Sequence, residues 1–537
     1  MPLSLKSLAA SLAVERRLYL FFFFLICLLG AALRLVQYPN LPPGFHQDEA
    51  SSAYEAYCLA ETGMDRWGNV LPVYFPSWGS GQNVLLSYLM IPVVKIFGLS
   101  IFSTRLIPVS LGILTLPLLG WGLRPLGRYP ALLGMFLVAV VPWHFMLSRW
   151  ALESNLVPFF MLLGCVLVSR ALITNKRRWI IPSLFPFALA LYAYGTTIIV
   201  LPIMAVLLGG CYWPQLLQNR SSWLLAIAIF AVFAFPFMVF VVEHHVLNHN
   251  MTWADSLFFS TPLPPSNRLA QVNTEQRMDI LYTNRTFLNS GFQDGIVCNL
   301  MPNFPLLLLF SLPLGLIGMA AAVFGLIRQL RHRMAQPNQV VITIFLSWAL
   351  GALPMVFLFT LNVTRFNHFY LPLLVLMIWL VDQLIEHTNT WVSKPLLRTL
   401  VVMWLVVESG FAVRHYFTSY RSNGIQTLFH EGLDQAFVAA KQLPVAQVRI
   451  TSSLGLHYVY TLFFTQYPPR EFQQRAQYSI SNGSYEVFRF GKYVFNDAHL
   501  TPHQPYGYLM RRSELSADTT ARRIIFRNKI WEVGILE

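Results

Sequence analysis

Apolar residues fall along this chain in long unbroken blocks, each closed by a cluster of basic residues. The blocks near 18–37, 105–123, 129–147, 155–173, 179–194, 197–213, 222–241, 302–326, 340–360, 369–386 and 398–416 approach the ~20 residues that cross a hydrocarbon core. The basic clusters are Arg16-Arg17, Arg124 with Arg128, Lys176-Arg177-Arg178, Arg220, Arg328-Arg331-Arg333, and Lys394 with Arg398. If each cluster is cytoplasmic, one pair of spans separates each from the next, which gives about eleven transmembrane helices. The N-terminus is then inside and the C-terminus outside. One further apolar stretch, "VLLSYLMIPVVKIFG" at 84–98, carries Pro92 and Lys95. It reads as a re-entrant or interfacial helix on the external side, from which Lys95 snorkels to water, with a twelfth span as the alternative.

From about residue 418 the pattern changes. "HEGLDQAFVAAKQL" has helical amphipathicity, whereas "AQVRITSSL", "YVYTLFFTQ", "YEVFRFGKYVF" and "RRIIFRNKIWEVGIL" are β-branched and aromatic between polar breaks. The expected organisation is a transmembrane region over 1–417 and an external α/β domain over 418–537. External loops are expected at 38–104, 148–154 and 242–301.

Composition agrees with membrane insertion: 55% of the 537 residues are hydrophobic and only 12% are charged. The net charge of +14 suggests nucleic acid only until the basic residues are mapped to the loop clusters, which explain it. The first apolar run is too long for a signal-peptide core and lacks a small-x-small cleavage pattern, so it is an uncleaved span of a multi-pass cell-membrane protein. The five cysteines show no metal-ligand spacing. Cys58 and Cys298 both fall outside the spans, where a disulfide between them is open.

The spans hold almost no acids, which counts against an ion-coupled transporter. Acids gather in the external loops instead. After the turn "PPG", the segment "FHQDEASSAYEAYCLAET" places His46, Asp48 and Glu49 at the start of a short helix that Gly63 ends. Asp48 there reads either as an N-cap or as a reacting group. Trp67, Trp78 and Gln82 follow, a set suited to sugar rings. A second cluster, "PWHFMLSRWALESNL", brings His144, Arg149 and Glu153; at i and i+4, Arg149 and Glu153 read as an interfacial ion pair or as site residues. A third, "NVTRFNHFY", brings Arg365 and His368, with interfacial anchoring as the plainer alternative. Together these place carboxylates, arginines and histidines on one membrane face. A carboxylate can take a proton from a hydroxyl, and arginines can hold a departing phosphate.

The segments "LPPGFHQDEASSAYEAYCLAETGMDRWGNVLPVYF", "GLSIFSTRLIPVSLGILTLPLLGWGL" and "VPWHFMLSRWALESNL" resemble bacterial glycosyltransferase family 39, of the GT-C class. That class includes the protein O-mannosyltransferases and the lipid A aminoarabinose transferases. The resemblance implies a GT-C fold, a polyprenyl-phosphate-linked sugar donor and an inverting transfer. Carried over, Asp48 is the candidate base and Glu153 the acidic position of the second outer loop; Glu49 or Glu153 is further expected to position the acceptor or to tune Asp48 by like-charge proximity. Arg149, Arg365, His368 and Lys95 are candidates for the donor phosphate; His46, Trp67, Trp78, Gln82 and His144 are candidates for the substrate. Some relatives use a divalent metal, for which His46 and Asp48 are candidate ligands without a complete set. The acceptor is open among glycan, lipid and protein, no nucleic-acid partner is expected, and the rival function is a transporter or flippase of lipid-linked sugars.

Overall fold

The structure is a computed structural model that describes residues 5–77, 81–247, 251–255, 257–258, 277–302, 304–332, 336–388, 392–422, 424–481, 484–501, 504–515 and 522–536. Among them, nine helices are long and apolar enough to cross a membrane. Those at 153–174, 337–358 and 367–387 are largely enclosed by protein, whereas 13–35, 197–218 and 394–418 present most of their surface outward.

Each expected span has a helix in its interval, but three are interrupted and one is displaced; the block 340–360 divides around Pro354 into Pro337–Ala352 and Met355–Leu358. The block 129–147 divides into the helices Arg128–Val140 and Pro142–Leu147, with Val141 in extended conformation between them. Pro142 sets this break, because a proline disfavours helical geometry at the residue before it and takes the first helical position well. The block 179–194 likewise divides around Pro182 into Arg177–Ile180 and Phe185–Ala193. The block 302–326, which carries Pro302 and Pro305, becomes helical only at Ser311–His332.

The first third of the chain positions the site. Helix α1 spans Leu5–Leu35, α2 Gln47–Thr62, α3 Leu85–Phe97, α4 Ile101–Gly122, α5 Arg128–Val140, α6 Pro142–Leu147 and α7 Val157–Thr174. At about 1.5 Å per residue, α3 is roughly 20 Å long, well short of a ~30 Å core. It packs on α2 and carries Lys95, Ile96 and Phe97 on an exposed face. A two-stranded hairpin, β1 (Tyr74–Phe75) with β2 (Gln82–Asn83), lies between α2 and α3. The basic ends of several spans meet at one end of the bundle, where Arg128 pairs with Glu15, Arg398 pairs with Glu386, and Arg398 stacks over Tyr129.

The C-terminal region forms a seven-stranded mixed sheet, ordered β4-β5-β6-β3-β7-β9-β8. Its strands are β3 (Val448–Ile450), β4 (Gln477–Ser481), β5 (Ser484–Phe490), β6 (Tyr493–Val494), β7 (Tyr506–Arg511), β8 (Arg522–Arg527) and β9 (Trp531–Leu536). β3 runs parallel to β6 and β7, and every other pairing is antiparallel. "YVYTLFFTQ", expected as a strand, lies instead in the helix His457–Thr465. Its aromatic residues favour a strand by propensity, but here they pack against α2 and the neighbouring helix Leu433–Gln442, and packing overrides propensity.

This domain docks directly on the first loop. Phe45 N donates to Phe429 O at 2.5 Å. Tyr54 Oη donates to Tyr467 O at 2.9 Å and Gln473 Nε2 to Asp65 O at 2.7 Å. Gly44 is required at this joint: its φ is +75°, and a Cβ would lie 2.2 Å from Phe429 O.

Candidate active site

Helix α2 begins with a reciprocal cap. His46 is the N-cap and its Nδ1 accepts from Asp48 N at 3.3 Å, while Glu49 Oε2 accepts from His46 N at 3.0 Å. Asp48 is therefore not the cap; His46 and Glu49 perform that task. The Asp48 carboxylate stays 28% exposed, with Oδ2 3.6 Å from His46 Nδ1. It is the acid of this turn that solvent reaches.

Glu49 is the opposite case. It is fully buried, and both oxygens are saturated: Oε1 accepts from Arg105 Nε at 2.8 Å and Ala151 N at 2.9 Å, and Oε2 also accepts from Arg105 Nη2 at 2.8 Å. Arg105 in turn donates to the carbonyls of Pro39, Pro42 and Gly44. Glu49, expected to position the acceptor or tune Asp48, is bound on both oxygens by the protein itself and anchors the turn that carries Asp48.

The β1–β2 hairpin links the two outer loops. Gln82 Nε2 donates to Ser52 Oγ at 2.7 Å and to Asp48 O at 3.4 Å. The next residue, Asn83, donates its backbone N–H to Glu153 Oε2 at 2.5 Å. Asp48 and Glu153 are thus tied to adjacent residues of one strand. Glu153 is only 7% exposed and opens a short 3-10 turn, Glu153–Leu156.

Three groups outside the expected set lie within electrostatic reach of the His46–Glu49 turn. Burial and the carboxylates of Asp48, Asp294 and Glu49 push the Cys298 thiol up. Tyr460, whose hydroxyl donates to Phe45 O at 3.2 Å, is raised by burial and by Asp48 and Glu49, against Arg511. His430 bonds Arg511 Nη2 through Nδ1 at 3.0 Å and packs edge-on to Tyr460. Nothing local in the sequence ties these residues to residue 48. Cys58 and Cys298 are both free.

Burial, with Arg511 and His46 nearby, holds the His430 imidazole down at about 3. Below the unfolded value of ~6.5 the unfolded chain binds a proton that the folded one refuses until about pH 3. The stability contributed by neutral His430 is present above pH 6.5 and is lost as pH falls through that window. Thermal unfolding across pH 7 to 4 is expected to show a falling Tm, with a shallower slope in His430→Gln.

The other expected site residues are drawn elsewhere. The chain is not helical over Arg149–Leu152, so Arg149 and Glu153 do not stand one turn apart. Arg149 is fully buried and donates to Leu33 O, Val36 O and Leu41 O, closing the C-terminal end of α1. Arg34 does the same for α5 through Val138 O and Ala139 O. It also donates to His144 Nδ1 at 2.6 Å, which turns that imidazole inward. His368 is buried in the bundle, with Nε2 3.1 Å from Thr197 Oγ1. Arg365 Nη1 donates to Thr360 O at 2.6 Å. Lys95 stands on the exposed face of α3 beside Ile96 and Phe97. Trp67 stacks on Tyr485 of β5 at 3.9 Å and serves the joint with the C-terminal domain. Trp78 lies outside the described residues.

Among the described residues no three His, Cys, Asp or Glu converge on a metal-sized site. His46 and Asp48 alone offer a cation two side chains, fewer than a divalent ion takes from a protein cage.

Residues 82–240 match the family described as dolichyl-phosphate-mannose-protein mannosyltransferase, a segment under a third of the chain that includes Glu153. No curated protein matches. Among solved structures, ArnT from Cupriavidus metallidurans in the apo state is similar at 13% identity and a TM-score of 0.53, over 98% of both chains. The same protein bound to undecaprenyl phosphate gives 12% identity and 0.52, over 97% of this chain and 98% of that one. The Archaeoglobus fulgidus oligosaccharyltransferase tethered with an acceptor peptide gives 13% and 0.50, over 83% of this chain; this chain spans 63% of its length. The fold is GT-C, a multi-pass membrane architecture with a C-terminal sheet domain.

Proposed function

We propose that the protein is a membrane glycosyltransferase that moves a sugar from a polyprenyl-phosphate donor to an acceptor hydroxyl. In this reading the acceptor O–H loses its proton to the Asp48 carboxylate as its oxygen attacks the anomeric carbon. The bond from that carbon to the phosphate oxygen breaks, and the lipid phosphate leaves with the electron pair from the opposite face. The observation that carries the proposal is the partition of the adjacent acids, Asp48 open to solvent and Glu49 locked. General-base assistance needs an accessible carboxylate on a rigid mount, and Arg105, His46 and Gln82 supply the mount. The neighbours' printed ligands, undecaprenyl phosphate for ArnT and an acceptor peptide for the archaeal enzyme, support the donor class and the transfer chemistry.

Orientation follows from charge. The end of the bundle that gathers Arg16, Arg17, Arg128 and Arg398 is assigned to the cytoplasm, which leaves Asp48 and the C-terminal domain on the outer face of the cell membrane. The domain boundary is placed at residue 418, where the last long helix ends. Incubating purified protein with a panel of polyprenyl-phosphate sugars is expected to release lipid phosphate from at least one of them. Absence of release from every donor, with and without added hydroxyl acceptors, would overturn the assignment.

A further inference from the structure

Phe45 joins the Pro42-Pro43-Gly44 turn to the His46 cap, and the C-terminal domain holds it from both sides. Its N–H donates to Phe429 O at 2.5 Å, and its carbonyl accepts from Tyr460 Oη at 3.2 Å. Its ring lies 4.4 Å from that of Phe463, which shares a helix with Tyr460. Phe45 is only 1% exposed, so neither backbone group can exchange its partner for water without cost. Asp48 follows three residues on, inside the first turn of α2.

The joint continues past Phe45. The Phe429 ring packs 5.6 Å from His46 and 5.6 Å from Trp150, and those two rings are 5.3 Å apart. His46 Nδ1 in turn lies 3.6 Å from Asp48 Oδ2. One aromatic side chain of the C-terminal domain thus bears on the first outer loop, on the second, and on the histidine beside Asp48. The sheet fixes the segment behind it. Arg511 of β7 and Trp531 of β9 are cross-strand partners. Arg511 Nη2 bonds His430 Nδ1 at 3.0 Å, and Trp531 Nε1 donates to Glu431 O at 3.0 Å. An unbroken run of contacts therefore leads from the sheet through residues 429–431 to His46 and Asp48.

Within this run Tyr460 acts on the turn through a single separable bond. Burial and the carboxylates of Asp48 and Glu49 keep its phenol protonated, so the hydroxyl is a donor and Phe45 O is its acceptor. A phenylalanine would fill the same space without the donor. We infer that Tyr460 is a positioning residue for Asp48: by holding Phe45 it fixes the turn that carries the carboxylate, so that the C-terminal domain takes part in the reaction Asp48 performs. A reacting group gains from such a mount, because a displacement of about 1 Å costs up to about 10²-fold in rate. The base role of Asp48 rests on the transferase reading; the hold on the turn does not.

Tyr460→Phe in the full chain, held in nanodiscs, tests both halves. By hydrogen exchange the amides of residues 45–50 are expected to open about three- to tenfold more readily than in the wild type, the worth of one lost bond. Single-turnover release of lipid phosphate is expected to slow about tenfold, with the half-saturating donor concentration changed by less than about twofold. In an Asp48→Asn background the same substitution is expected to lower the residual rate by less than about twofold, since no base is left to misplace. Tyr508→Phe removes a buried hydroxyl that donates to Glu532 in the same sheet and is expected to keep the wild-type rate. Unchanged exchange over 45–50 would overturn the proposal. So would an equal rate loss with and without the Asp48 carboxylate, or a loss in Tyr508→Phe as deep as in Tyr460→Phe. Faster exchange in Tyr460→Phe, in a protein whose wild type releases no lipid phosphate, would support the hold on the turn and count against the transferase reading alone.

Discussion

In the Asp48→Asn variant, release of lipid phosphate is expected to fall about 10²–10⁴-fold, the usual worth of general-base help. Thermal unfolding should stay within about 0.5 kcal/mol of the wild type. The two halves of that expectation come from different atoms. Asparagine keeps the size of the side chain and the backbone N–H that His46 Nδ1 accepts, so the start of α2 is undisturbed. The carboxylate itself carries no structural load, because His46 and Glu49 make the cap and Asp48 meets its neighbours mainly through its backbone. What the substitution removes is the capacity to take a proton. Single-turnover release from a donor sugar, alongside a melting curve, reads both. Full release in Asp48→Asn would end the assignment of Asp48 as the base, whereas a transporter or flippase would release no lipid phosphate from either protein.

Much of this site is legible in the primary structure, and the unread part has a common cause. Asp48 stands out because it follows a Pro-Pro-Gly turn after an apolar run and opens a helix that ends at Gly63. Local pattern suffices for that reading. The failures concern partners that are distant in sequence. Arg149 reads as a partner of Glu153 or a site residue, since nothing near it reveals the carbonyls of Leu33, Val36 and Leu41 that it binds at and beyond the end of α1. His144 looked exposed at an outer turn, although Arg34, more than a hundred residues earlier, draws it inward. A signal for the buried network was nonetheless present. Arg34 and Arg105 both sit within otherwise apolar segments, and an arginine there must find acceptors. The α5–α6 break was also legible, because Pro142 stands inside the block that was read as one span. The helix at 457–465 was not, since its aromatic residues suit a strand until α2 is set against them.

The second large effect concerns Arg105. Arg105→Met is expected to destabilise the protein by about 3–5 kcal/mol, because it leaves the Glu49 carboxylate buried without its cation. A surface pair would be worth no more than about 1 kcal/mol; here both side chains are fully excluded from water. The loss reaches beyond the pair, since Arg105 also gathers the carbonyls of Pro39, Pro42 and Gly44. Those residues shape the turn ahead of His46 and Asp48. Transfer activity should therefore fall in Arg105→Met even at temperatures where the protein stays folded. Glu49→Gln combined with Arg105→Met is expected to cost less than the sum of the two single changes, by 1 kcal/mol or more, as coupled neighbours do. Activity then separates the roles. If Glu49 only anchors the turn, Glu49→Gln lowers the rate in step with its loss of stability. A rate loss as deep as that of Asp48→Asn at unchanged melting temperature would instead make Glu49 a reacting group.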